Sequence, residues 1–296
     1  MYINREMKQN ICAPGHNSTN YSCYTKKQLV QLMNQLIQHH PISQKWKHLN
    51  HMNLYNLLKE QIQSNYQITD ESKWLELPFV KPILDQELNQ KTFRPEMPNE
   101  WNSDIHTWLN SDDISRVMGQ YQQKFPDFLF FGPVASDCPE EFHCELTDFS
   151  CKKMLLAGKQ RIGIIFNLDK HNQSGSHWVA LWISILEQTI EYYDSYAIRP
   201  PKLIHQFMKR IQQQANTDGI VFQIMWNKIR HQYGGSECGV FSMFFIVQRL
   251  HDKSFEDICN QKPTDELMNQ LRLHFYRPPE NTIQKDIDKQ VLLGGS

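Results

Sequence analysis

An α+β fold, a mixed central sheet flanked by helices with a helical extension in front of it, is the arrangement this sequence predicts. Short apolar, strand-like runs interleave with helical patterns from about residue 100 onward, which argues for a mixed sheet with helices around it. The first 65 residues carry helical periodicity only. Between these regions Pro78, Pro82, Pro95 and Pro98 interrupt regular structure. The predicted organisation is a helical arm domain over 1–95, a second domain over 96–280 and a tail over 281–296.

Residues 1–24 are polar and turn-rich, with Pro14-Gly15 and Asn17 to Asn20, and read as a mobile or loosely docked arm. Thr25 and Gln28 then form a capping box, and Leu29, Leu32, Met33, Leu36 and Ile37 share one face of a helix that stops before Pro41. A second helical pattern runs from about Lys45 to Gln63. Helices this short are marginal alone in water, so the two must pack on each other or on the second domain.

The second domain opens with Trp101, Ile105, Trp108 and Leu109, followed by a helix from Ser111 to Phe125 with Asp112 and Asp113 in its first turn. Phe128 to Phe131 reads as a buried strand ended by Gly132-Pro133. Arg161 to Leu168 is a strongly apolar strand that leads through a turn to Trp178 to Ile183, a run apolar on both faces with His177 at its mouth. Ile190 to Asp194 reads as its hairpin partner across a turn near Glu187-Gln188. A helix over Lys202–Ala215 begins after Pro200-Pro201, Ile220 to Trp226 reads as a strand, and Thr264 to Tyr276 as a last helix.

Thirty-one basic and 32 acidic residues give a net charge of −1, so nothing draws the whole chain toward nucleic acid or acidic membranes. No long apolar span is present, which points to no membrane partner. Seven cysteines without repeated spacing, and no signal peptide, read as a soluble protein from a reducing compartment. Cys138, His143, Cys144 and Cys151 lack a CxxC pair, and no metal or other cofactor is predicted.

The chemistry concentrates in His231-Gln232-Tyr233-Gly234-Gly235-Ser236-Glu237-Cys238-Gly239 and the apolar run after it. A cysteine that opens a helix after a glycine-containing turn sits where the helix dipole favours negative charge, which makes Cys238 a candidate nucleophile. Gln232, six residues earlier, can aim an amide N–H beside the Cys238 backbone N–H, as an oxyanion hole requires. A lone cysteine there is more often a buried structural residue, and a base is needed to favour the nucleophile. Adjacent antiparallel strands would set His177 and Asp194 side by side as an imidazole and its orienting carboxylate. The four residues together describe acyl transfer.

The His-Trp pair, the Tyr-Tyr-Asp-Ser stretch and the Gln followed six residues later by Cys-Gly resemble the SUMO-specific (ubiquitin-like-protein) proteases and the adenovirus maturation protease. Trp108-Leu109-Asn110 resembles the opening of the SUMO-protease catalytic domain. Within this group, Lys228 to Gln232, Glu237-Cys238-Gly239, Thr264 to Met268 and Leu273 to Arg277 are most similar to the polyprotein-processing protease of African swine fever virus and its relatives in large DNA viruses. The resemblance implies a cysteine endopeptidase with His177, Asp194, Cys238 and Gln232 as its catalytic set. It also implies that Trp108 and Trp178 cover a narrow tunnel for a Gly-Gly pair, although core packing is the alternative for either tryptophan. Ser111 departs from the pattern, since the SUMO proteases commonly carry Asp there.

The implied partner is a viral structural polyprotein with Gly-Gly-X sites, with a ubiquitin-like protein as the alternative. The setting this implies is the virion and the host cytoplasm at the assembly site; the need for a nucleic-acid or peptide activator stays open. A non-catalytic capsid or scaffold role is the reading from a different class, and the complete four-residue set argues against it. The chain ends Leu292-Leu293-Gly294-Gly295-Ser296, which has the form of a self-cleavage site.

Overall fold

The computed structural model describes residues 11–15, 19, 21–42, 44–77, 79–80, 91–140 and 144–277. The ending Gly294-Gly295-Ser296, most of the proline-rich stretch and His143 lie outside the described residues. The chain divides into two compact units, Met1–Glu96 with Tyr276–Ser296, and Met97–Phe275.

In the first unit, α1 (Lys26–His39) starts at the predicted capping box, Thr25 and Gln28 each satisfying a backbone N–H of the other. The second helix begins later than its apolar pattern suggests. Asn50 accepts from the Asn53 N–H at 2.9 Å and so starts α2 (His51–Tyr66), while Gln44–His48 forms a separate 3₁₀ turn. The two helices share a core with Trp74, whose ring stacks on Tyr24 and on Tyr55 at 5.6 Å.

The stretch before α1, expected to dock loosely, is tied down where it is described. Ala13 donates to the Thr92 carbonyl at 3.0 Å, Arg94 donates to that of Ile11 at 2.7 Å, and Cys12 is disulfide-bonded to Cys23. Buried Glu71 accepts from Ser22 Oγ and the Cys23 N–H; burial still pushes its carboxyl up. Arg277 belongs to this unit too, donating from its backbone to Pro95 at 2.9 Å and from Nε to the Arg94 carbonyl at 3.0 Å.

The second unit is built on a five-stranded mixed sheet in the order β1 (Phe128–Ala135), β2 (Arg161–Asn167), β3 (Trp178–Ser184), β4 (Thr189–Tyr193), β5 (Gln223–Trp226). The outer pairs are parallel and β2–β3 and β3–β4 antiparallel. Its helices are α3 (Ser111–Lys124), α4 (Cys151–Leu156), α5 (Lys202–Thr217), α6 (Cys238–Leu250), α7 (Phe255–Asn260) and α8 (Asp265–Phe275). Every residue of β3 is buried because both faces are covered. Val179, Leu181 and Ile183 join the core that contains Ile204, Phe207 and Ile211 of α5. On the other face Tyr193 stacks on Phe245 of α6 at 4.8 Å, and Arg249 of α6 lies over Trp182.

The sequence places the end of β1 at Gly132-Pro133, and the structure corrects this. The strand continues to Ala135 with its register shifted between Phe131 and Val134. An edge strand accommodates a residue that has no N–H, which is why the proline does not stop it. β5 is shorter than its apolar run, only Gln223–Trp226 pairing with β4. Cys138 and Cys144 form a second disulfide, so two thiols of the group considered for zinc are consumed by each other. Neither disulfide is visible in the spacing of the cysteines, and both run against the reducing compartment expected from it.

Candidate active site

The ends of β3 and β4 supply the first half of the site. His177 stands immediately before β3 and Asp194 immediately after β4, and the hairpin register, with Ala180 opposite Tyr193, brings these two ends together. His177 Nε2 lies 2.8 Å from Asp194 Oδ1, with the carboxylate fully buried. The carboxylate thereby fixes the ring orientation and leaves Nδ1 for another partner. Cys238 acts on the same imidazole. Burial alone would lower the His177 pKa, but the hydrogen bonds to Asp194 and to Cys238, and the charges of both, raise it from 6.5 to about 9.

The second half comes from the loop after β5 and the start of α6. Cys238 is the first residue of a helix buried throughout its 13 residues. Glu237 occupies the cap position without making a side-chain capping bond; its carboxylate accepts instead from Ser236 N and Oγ. The positive end of the helix is therefore not neutralised by a capping bond where the thiol sits. Gly239 lies in close approach to its neighbours, since a Cβ there would crowd Leu109 at 3.2 Å and Trp178 at 3.3 Å.

Gln232 is fully buried and held at several points. Its backbone N–H donates to the Ser195 carbonyl at 3.0 Å, and Ser195 Oγ donates to its Oε1 at 2.6 Å. With Oε1 accepting, the amide nitrogen is fixed on the opposite side, where one N–H reaches the Gly234 carbonyl at 3.1 Å and a second remains to donate.

Trp108 and Trp178 line one cavity of about 390 Å³, together with Ser111, Val134, Asp169 and His171. Their environments differ. Trp178 is 6% exposed and its indole N–H donates to the Leu109 carbonyl at 3.0 Å, whereas Trp108 is 48% exposed. Ser111 starts α3, which Asn110 and Asp113 cap reciprocally.

Several residues in this site escape a reading for catalytic types. Asn227, just past β5, accepts from the Asp194 N–H at 2.9 Å and donates to the Asp194 carbonyl at 2.7 Å, anchoring the strand end that carries the carboxylate. Ser195 closes the Tyr-Tyr-Asp-Ser stretch without a role read for it, and adjacency to that stretch is the sequence signal that marks Tyr196. Nothing in the spacing marks Arg230, whose Nε donates to the Gln232 carbonyl at 2.6 Å.

Residues 140–283 match the Ulp1 protease family, C-terminal catalytic domain. A protein of Acanthamoeba polyphaga mimivirus named as a thiol protease is 32% identical over 189 residues, covering 63% of this chain and 61% of that protein. The SUMO-1 cysteine protease of African swine fever virus is 33% identical over 118 residues, covering 39% of this chain and 43% of the viral protein. The chain thus spans less than two thirds of the length of these relatives. The crystal structure of an African swine fever virus protease superposes with a TM-score of 0.63 at 21% identity, covering 92% of this chain and 97% of that one, which shows a shared fold. The mixed sheet, the surrounding helices and the helical N-terminal region all fall within that match. Over residues 140–283 the chain is thus similar in sequence to the catalytic domain of the Ulp1 protease family, and it shares its fold with the African swine fever virus protease.

Proposed function

We propose that this chain is a cysteine endopeptidase that cleaves after Gly-Gly in the structural polyproteins of a large DNA virus. The observation that carries the reading is the 2.8 Å contact of His177 with Asp194, with Cys238 acting on the same imidazole and the Gln232 amide oriented on the loop that delivers the cysteine. His177 takes the Cys238 proton, and Asp194 and the start of α6 stabilise the resulting ion pair. The thiolate attacks the scissile carbonyl, and Gln232 Nε2 and the Cys238 N–H hold the oxyanion. His177 then protonates the leaving amine, and water releases the acyl group.

Trp108 and Trp178, which line one cavity, are the residues this reading assigns to a glycine-selective channel. The proposed place of action is the virion and the cytoplasmic assembly site. A second reading, removal of ubiquitin-like proteins, is favoured by the name of the African swine fever virus relative, a SUMO-1 cysteine protease.

Mass spectrometry of Gly-Gly-X peptides and of intact ubiquitin-like precursors, incubated with the wild type and with Cys238→Ala, separates the readings. Cleavage of short peptides, lost in the variant and no faster on folded precursors, is the expected result. Strong preference for the folded precursor would replace the polyprotein reading with the second one. Cleavage of neither would overturn both.

The alkaline limb of kcat/KM is expected near pH 9, where His177 loses the proton it must give to the leaving amine. An alkaline limb near 6.5 instead would remove the ion pair from the mechanism. Linkage gives the same sign. His177 binds its proton more tightly folded than unfolded, so the stability it contributes is complete below pH 6.5 and is lost as pH rises through about 9.

A further inference from the structure

Between the two halves of the site stands Tyr196, a residue with no chemistry of its own in the proposed reaction. Its ring stacks on the His177 imidazole, centroids 4.7 Å apart and planes 22° from parallel. Its backbone N–H donates to Asp194 Oδ1 at 2.8 Å, the same oxygen that meets His177 Nε2. Its hydroxyl donates to the Gly234 carbonyl at 2.9 Å, which also accepts from Gln232 Nε2. The Arg230 guanidinium lies 5.0 Å from its ring centroid, while Arg230 Nε holds the Gln232 carbonyl.

We propose that Tyr196 is a positioning residue that couples the base to the oxyanion donor: its ring holds the His177 imidazole in plane, and its hydroxyl fixes the loop from which Gln232 and Cys238 project. The inference rests on the reading of His177, Cys238 and Gln232 as base, nucleophile and oxyanion donor. Each of the three contacts has a separate physical effect. An aromatic face favours the imidazolium over the neutral ring, because the π-cloud is negative. The Asp194 bond keeps the carboxylate from rotating away from Nε2. The shared Gly234 carbonyl occupies one Gln232 N–H and so directs the other outward.

The ionisable and charged groups around this stack are few. Asp194 and Cys238 face the imidazole, and Arg230, Glu237 and Asp265 act on the phenol from the neighbouring loop and α8. Burial first, then the Cys238 charge, push the Tyr196 phenol up, so it remains a proton donor across the working range. A residue that merely filled space here would affect folding without separating the two halves of the site. The separation is what the test reads.

Two variants of the full chain, Tyr196→Phe and Tyr196→Leu, are compared by NMR titration of the His177 ring and by kcat and KM on a Gly-Gly-X peptide. Tyr196→Phe keeps the stack and removes the tie. It is expected to leave the His177 midpoint in place while kcat falls roughly 3- to 10-fold with KM unchanged, the scale of one hydrogen bond. Tyr196→Leu removes both, and its His177 midpoint is expected to drop by about half a unit to one unit, the scale of a partly desolvated cation–π contact. A Leu variant that titrates like the wild type overturns the role of the ring. Equal shifts in both variants assign the effect to the hydroxyl and overturn it as well. If the Leu variant does not fold, the Phe variant decides: unchanged kcat overturns the tie, and a selective loss of kcat at an unchanged melting temperature supports it. The titration needs no substrate, so a wild type that cleaves nothing overturns the proposed function while the His177 arm still reports on Tyr196.

Discussion

Cys238→Ala is expected to abolish turnover on every Gly-Gly-X substrate while leaving the fold intact. The substitution removes one sulfur from a buried helix start and creates a space smaller than a methylene deletion in a large side chain, so melting should change little. The effect on His177 is more telling. Asp194 and Cys238 together raise the imidazole against the lowering effect of burial. With the cysteine gone, Asp194 is the charged group left to oppose burial, and the His177 midpoint should fall below about 9. An NMR titration of the two proteins checks this directly. Residual cleavage in the variant, or a His177 midpoint that does not move, would show that Cys238 is not the partner of the base.

Gln232→Ala is expected to cost about 10²–10³ in kcat, the usual scale for one oxyanion donor, with KM changed far less. The side chain is fully buried and bonded to Ser195 Oγ, so part of any effect could come from a misplaced loop. Ser195→Ala separates the two causes. It removes the bond that fixes which side of the amide carries nitrogen, yet leaves the Gln232 backbone bond to the Ser195 carbonyl in place. A smaller loss in kcat than for Gln232→Ala, with unchanged melting, is the expected outcome. Full activity in Gln232→Ala would assign the oxyanion to other donors.

What could be read from the residues was whatever repeats or carries its chemistry openly. The α+β class followed from apolar runs of strand and helix length, and α1 from a capping box whose two members are three residues apart. The logic of a hairpin pairs His177 with Asp194, and the two side chains meet at 2.8 Å. The start of α2 lies later than the pattern places it because apolar periodicity already includes Leu49, while the backbone obeys the local capping bond of Asn50. The end of β1 was misplaced because a proline reads as a terminator unless the strand is known to be an edge. Asn227 and Arg230 stayed hidden for a different reason. Each acts on a neighbour through backbone atoms, and such contacts leave no pattern in residue type. The disulfides stayed hidden because their formation depends on how turns bring sulfur atoms together.

The packing of α6 has a consequence in time. The base stands before β3 and the nucleophile 61 positions later (238 − 177) at the head of a helix enclosed on all sides, so neither has its partner until β3 and α6 have met. A chain still leaving the ribosome carries the cysteine before its base is in place, and so holds no assembled nucleophile. Proteolysis then begins only where folding has finished, and the onset of activity during refolding should follow the burial of α6 rather than precede it.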